Sequence, residues 1–382
     1  MRGPLGAVAL AAIIASIGAI PRVLLAADVL PDWLRPFTWT DLLSTWERGI
    51  SGGRLPYWDT YFEYPPLFGY LAGALSRVSP SAAVYVAAWA LVQIVAATAV
   101  AAVLVREVGA RRALRWALAP QLLLYGSLNV EVLVVAMLVA GVIWERRSRT
   151  ALASVALALG AATKLFPAAA LPIFLVRRWR AGGRPLALAS ASIFALVVAG
   201  AYAPSLAAPF SSSESIGRYA AGIEPNFDSL WGLARSALVG IGVPEASRWI
   251  LIATLGGLAV TYVVGVLPSA GRTPDPAIGV GLAVVALLFW TRLYSPQFSL
   301  WILPFFALLP LSTRSLATLT AADIIVFFTV YPLTLARWPS GDTLQAGLAS
   351  ALAAAVVLRH VALVLVWRDL VRLERSGRAA AP

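Results

Sequence analysis

Lys164 is the only lysine of the chain, and it stands in an apolar stretch, GAATKLFPAAALP, that breaks at a proline. A cation inside an apolar segment is costly and by default marks a functional site, where it can hold an anionic group. Arg292, ahead of Tyr294-Ser295-Pro296-Gln297 at the end of an apolar run, is a second such cation. Arg22, near the outer end of the first apolar run, is a third. The plain alternative for each is a side chain that snorkels to a lipid headgroup. The acids offer different chemistry. Asp41 follows Thr40 at the start of TDLLSTWERGI, and Glu63 precedes Tyr64-Pro65-Pro66, whose backbone is held extended. Carboxylates so placed can take a proton from a hydroxyl, or can merely favour a helix N-terminus and solvate a loop. Asp323, inside an apolar run, is expected to pair with an arginine of the bundle. His360, beside Arg359, is expected near the inner end of the last span, at the membrane interface.

The elements that position these groups follow from where charge is absent. Of all residues 60% are apolar and only 13% charged, far too few charges to cover a soluble domain. No charged residue stands between Arg77 and Arg106, between Arg184 and Glu214, or between Arg248 and Arg272. About 20 apolar residues cross a hydrocarbon core, so each run is long enough to span. An open sheet cannot satisfy its backbone in lipid, and the alternation of an outer-membrane barrel is missing, so the spans are helices. The net charge of +12 comes from arginine clusters between apolar runs, a positive-inside pattern and not a nucleic-acid groove. With no cysteine and one histidine, neither a thiolate nor a two-imidazole metal site is available. A magnesium site built from Asp41, Asp59 and Glu63 is the one metal arrangement left open. No metal and no cofactor are expected.

This predicts an all-α, polytopic transmembrane bundle over residues 1–382, with no separate soluble domain. Spans are expected at about 4–27, 80–105, 114–128, 130–144, 185–203, 248–268, 276–291, 296–311, 315–335 and 343–366. Residues 150–176 begin and end at arginine clusters, so they read as two half-length helices broken near Lys164-Leu165-Phe166-Pro167. Counted together they make roughly 12 crossings. Arg2, the clusters at 106–115, 146–149 and 177–184, Arg272, Arg314 and tail arginines 368, 372, 375 and 378 fall on the inner side. Two loops, 28–79 and 204–247, fall outside. The first should carry surface helices: Leu42, Leu43, Trp46 and Ile50 make one amphipathic face along the interface, with Thr40 as N-cap, and 65–78 is too short to cross. The 14 tryptophans suit interfacial belts, although Trp46, Trp58 or Trp231 could instead stack on a sugar.

In this order of features the sequence resembles the polytopic GT-C glycosyltransferases, and among them family 87, the polyprenol-phosphate-mannose-dependent mannosyltransferases. The resemblance rests on Asp41 with G-x-L-P-Y at 53–57 and EYPPL at 63–67, and on NVEVLVVAMLVAGVIWERR at 129–147 with GAATKLFPAAALP at 160–172. It extends to NFDSLWGL at 226–233 and YSPQFSLWILP at 294–304. One departure stands out: Asn129-Val130-Glu131 occupies the place of an expected Asn-x-Asp. The resemblance implies transfer of a sugar, mannose, from a polyprenyl-phosphate donor to a lipid or glycan acceptor. Transfer would occur with inversion at the outer face of the plasma membrane. It makes Asp41 the base, with Glu63 the rival carboxylate, and puts the phosphate on Lys164, Arg292 or Arg22. Tyr64, Glu131, Trp231, Tyr294 and Gln297 become substrate-binding candidates. A transporter or flippase of a lipid-linked sugar is the alternative, but it should show matched broken helices in two repeats, and only one break is visible.

Overall fold

The computed structural model describes residues 3–335 and 342–377, so Arg2 and Arg378 of the expected inner set lie outside the described residues. Among the described residues the chain is helical, with no strand and a lone bridge between Pro56 and Thr60. Helix α1 (Pro4–Ala26) leads into a first loop region carrying α2 (Asp41–Thr45) and α3 (Pro66–Val78). Then follow α4 (Ala82–Val108), α5 (Ala110–Ala117), α6 (Pro120–Tyr125), α7 (Glu131–Arg146), α8 (Thr150–Thr163) and α9 (Leu171–Leu206). A second loop region holds α10 (Ser212–Gly222) and α11 (Leu230–Gly240). The rest comprises α12 (Ala246–Val260), α13 (Ser269–Arg272), α14 (Pro276–Trp290), α15 (Leu303–Leu308), α16 (Thr313–Leu335) and α17 (Asp342–Ser376).

Six helical stretches among the described residues are long and apolar enough to cross a membrane: 4–26, 82–108, 166–206, 246–272, 313–334 and 343–376. Shorter apolar helices at 150–163, 276–290 and 296–308 pack among them. Two expected spans are therefore not continuous helices. The stretch 114–128 divides into α5 and α6 at Pro120, which lacks an N–H and opens a new helix. The stretch 296–311 is a 3₁₀ turn followed by the six-residue α15. Large apolar side chains such as Leu91, Val95, Leu196 and Val264 point outward, as a surface meant for lipid requires.

Small residues decide the closest packing. Ala7, Ala11, Ala15 and Ala19 recur every fourth position on α1 and are buried, which lets α1 lie tight along α4. A Cβ on Gly18 would overlap the carbonyl of Leu123. The helix pair α8–α9 packs side by side and breaks at Lys164-Leu165 as expected, but its second member is not a separate half-length helix: α9 runs on through the arginine cluster to Leu206 and takes in the span expected at 185–203. Gly183, at φ 71°, kinks α9 beside the arginines of that cluster. The arginine-rich ends are tied by ion pairs: Arg178 with Glu145 at 2.6 Å and Arg146 with Asp275 at 2.6 Å. Asp275 also caps α14 by accepting from the Ala277 N–H at 2.9 Å.

Sidedness can be read chemically, because the chain has no cysteine. Ser51 and Arg111 are both exposed, at opposite expected faces. Ser51→Cys should react with an impermeant maleimide in intact cells, and Arg111→Cys only after permeabilisation. Reversed labelling would place Asp41 on the cytoplasmic side.

Candidate functional site

The site begins at the short helix α2. Thr40 caps it, accepting from the Leu42 N–H at 3.3 Å, while its hydroxyl lies within hydrogen-bonding distance of the Ser127 and Leu128 carbonyls. The Asp41 N–H also donates to the Leu128 carbonyl, at 2.9 Å. The start of α2 is thus fastened to the turn between α6 and α7. Its apolar side is not laid along an interface: Leu42, Leu43 and Ile50 are buried in the bundle, and Trp46 packs on Tyr85. Asp41 sits at the first turn, half-buried, and its carboxylate accepts three side-chain N–H groups. These are Trp39 Nε1 at 3.1 Å, Asn129 Nδ2 at 2.9 Å and Gln297 Nε2 at 3.2 Å. Among the described residues it has no cation within ion-pair distance. A carboxylate held by three neutral donors is fixed in direction.

The other candidates near it are already compensated, with one exception. Glu63 pairs with Arg48 at 2.7 Å. Lys164, at the break of the α8–α9 pair, is ion-paired with Glu131, whose side chain is completely buried behind it, and its ammonium lies 4.7 Å from the centre of the Phe298 ring. Arg292 donates to the Ala220 carbonyl at 2.7 Å and has no carboxylate partner among the described residues. Burial, with the Asp41 and Glu63 carboxylates nearby, pushes the Tyr64 phenol well above its ordinary value, so it stays protonated and able to donate.

These groups surround one cavity of about 760 Å³. Asp41, Glu63, Tyr64, Lys164, Arg292 and Gln297 all reach its wall. Leu165, Phe166, Leu287, Phe298 and Trp301 supply an apolar side. The sequence model of glycosyltransferase family 87 fits residues 61–296. The chain belongs to glycosyltransferase family 87. No curated protein matches it significantly. The chain is a membrane glycosyltransferase, and the matched region holds Glu63, Tyr64, Lys164 and Arg292, while Asp41 and Gln297 fall just outside it.

Four expected site residues of this glycosyltransferase lie away from the cavity wall. Arg22 is buried in α1, its guanidinium spent on the Gly18 and Leu124 carbonyls. Glu131 is sealed behind Lys164. Trp231 donates to the Phe289 carbonyl at 2.8 Å and stacks on Trp290. Tyr294 is fully buried, with the Arg359 guanidinium 3.9 Å from its ring centre. His360, expected at the membrane interface, is likewise buried, between the rings of Phe289 and Tyr294, and faces neither lipid nor solvent. Asp323 is buried without an arginine in ion-pair range among the described residues; it accepts from Ser299 at 2.8 Å and Gln121 at 2.9 Å.

Sequence reasoning missed the framework that holds the wall. Asn226 N–H and Ser229 Oγ–H both donate to the Arg292 carbonyl, at 2.9 and 3.1 Å. Arg359 bonds the Asp228 and Tyr294 carbonyls from α17. The NFDS turn and the segment 292–297 are thereby one unit. Its signal was the NFDSLWGL motif itself, whose Asp228 is buried, which pushes its carboxyl up to about 6. Arg48 and Trp39 carried no signal in spacing, and Asn129 was visible only as the first residue of its motif.

Proposed function

We propose that the cavity transfers mannose from a polyprenyl-phosphate donor to an acceptor at the outer face of the plasma membrane, with inversion. What carries the reading is that Asp41 and Arg292, which among the described residues have no cation and no carboxylate partner respectively, face the same cavity. Asp41 takes the acceptor hydroxyl's proton as the oxygen attacks the anomeric carbon. The bond from that carbon to the phosphate oxygen breaks, and its electron pair leaves on the polyprenyl phosphate. Arg292 and Lys164 meet that charge in a site of low polarity, where oriented donors are most effective. The apolar wall suits the first isoprene units, and Tyr64 and Gln297 suit sugar hydroxyls. Glu131 acts through Lys164, positioning its ammonium. Glu63 is the less suited base, because Arg48 already neutralises it. The test is transfer by purified protein from a synthetic short-chain polyprenyl phosphomannose, with a nucleotide-activated mannose as the comparison donor. Transfer from the nucleotide sugar alone would sink the reading.

Metal independence is expected on this reading. Asp59 is committed to the Leu55 N–H at 2.7 Å and lies off the cavity wall, and Glu63 is committed to Arg48, so the three acids do not converge on an ion. EDTA is expected to leave transfer intact. Loss of activity with chelator, restored by Mg²⁺, would show that these acids bind metal after all.

A further inference from the structure

The cavity is not the only concave surface around the Arg48–Glu63 pair. A depression of about 260 Å³ is also lined by that pair, together with Thr45, Thr60 and Tyr61. A second, of about 340 Å³, is lined by Tyr61, Arg218 and Tyr219. The first shares Arg48 and Glu63 with the main cavity, the second shares Tyr219 and Ile223 with it, and the two share Tyr61. With Tyr61 as their common wall, the two depressions are the groove that borders the reaction cavity.

The groove differs chemically from the cavity. Its two tyrosines expose their rings, at 40% for Tyr61 and 43% for Tyr219. The Tyr61 hydroxyl donates to the Ser215 carbonyl at 2.8 Å, which pins that ring in place. Both cations along the groove are already neutralised, Arg48 by Glu63 and Arg218 by Glu214. A phosphate headgroup would have to displace a carboxylate from either arginine. A neutral polyhydroxyl ligand would not: fixed aromatic faces can cover the C–H face of a sugar ring, and paired charged groups offer donors and acceptors to vicinal hydroxyls.

We propose that this groove binds the glycan of the acceptor, with a sugar ring against Tyr61 and Tyr219 and its reacting hydroxyl passing the Arg48–Glu63 pair toward Asp41. The proposal rests on the reading of Asp41 as the base, since it directs the hydroxyl there. Acceptor chemistry is thereby separated from donor chemistry: the lipid phosphate takes the apolar, cationic cavity and the glycan takes the aromatic groove.

The experiment measures transfer from labelled short-chain polyprenyl phosphomannose to the glycolipid and glycan extract of the source membranes. Acceptor extract and donor are titrated separately. Tyr61→Ala and Tyr219→Ala should each raise the half-saturating amount of extract about fivefold to tenfold, with donor KM unchanged and kcat recovered at saturating extract. Tyr61→Phe keeps the ring and loses only its anchor, so it should shift far less than Tyr61→Ala, and Trp33→Ala, an exposed aromatic elsewhere in the first loop, should behave as the native protein. Unchanged half-saturation in both alanine variants would overturn the proposal. So would a Tyr61→Phe variant as impaired as Tyr61→Ala, because the effect would then be the lost anchor to Ser215. A parallel rise in donor KM would also overturn it, by placing the tyrosines on the donor. An active Asp41→Asn protein with shifted tyrosine variants would remove the base yet support the groove, so the two failures are separable.

Discussion

Asp41→Asn should leave a folded, inserted protein that binds polyprenyl phosphomannose nearly as before and turns it over at least about 10²-fold more slowly. Asparagine keeps the side-chain shape at the first turn of α2 and favours helix starts about as well as aspartate. It cannot take the acceptor's proton. Its amide nitrogen cannot accept, so either the Trp39 contact or those from Asn129 and Gln297, which share one Asp41 oxygen, must be given up. If Asp41 only supported the helix, little would change. Glu63→Gln is the companion measurement. Removing that charge frees Arg48 and should weaken turnover less than Asp41→Asn does. Near-normal turnover in Asp41→Asn beside an inactive Glu63→Gln would move the base to Glu63, and normal turnover in both would take the first loop out of the chemistry.

Arg292→Ala should cost about 10- to 100-fold in kcat/KM for the donor, the effect of one charge-assisted contact at roughly 1.5–3 kcal/mol. Its reading is clean because among the described residues Arg292 has no carboxylate partner to strand. Lys164→Ala should show a loss of similar size for a less simple reason. Glu131, fully buried, would be left as an unpaired charge, and breaking such a pair typically costs about 3–5 kcal/mol of stability. Lys164→Ala with Glu131→Gln should regain thermal stability in detergent without regaining donor use. Recovery of both would make the lysine a structural counter-ion and nothing more. Normal donor kinetics in Arg292→Ala and in the double variant would place the phosphate elsewhere, with Arg48 or Arg218 next to test.

Much of this was legible before any coordinates. The exclusion of charge from the long runs announces the crossing helices, because lipid penalises charge strongly and locally. The two arginine ends of 150–176 announce the broken pair that presents Lys164. Thr40 ahead of Asp41 announces the cap. Illegible were the choices of partner. Lys164 meets Glu131 across 33 positions and Asp41 meets Asn129 across 88, and helical periodicity reports only neighbours three or four apart. Depth failed for a related reason. Helix α17 runs from Asp342 to Ser376, longer than a bilayer needs, so counting from the end of its apolar run put His360 at the inner interface when it packs under Tyr294. Trp231 looked like a sugar platform because tryptophan at a loop is ambiguous until its own partner, Trp290, is known.

The bond from Gln297 to Asp41 joins residues 256 positions apart. A nascent chain that has inserted only as far as the α8–α9 pair already holds Asp41, Asn129 and Lys164. It lacks Gln297, Arg292 and the wall behind them. The proposed base and the site for the leaving phosphate therefore exist together only once the translocon has released most of the protein. Biosynthetic fragments and prematurely terminated chains should accumulate in the membrane without wasting lipid-linked sugar.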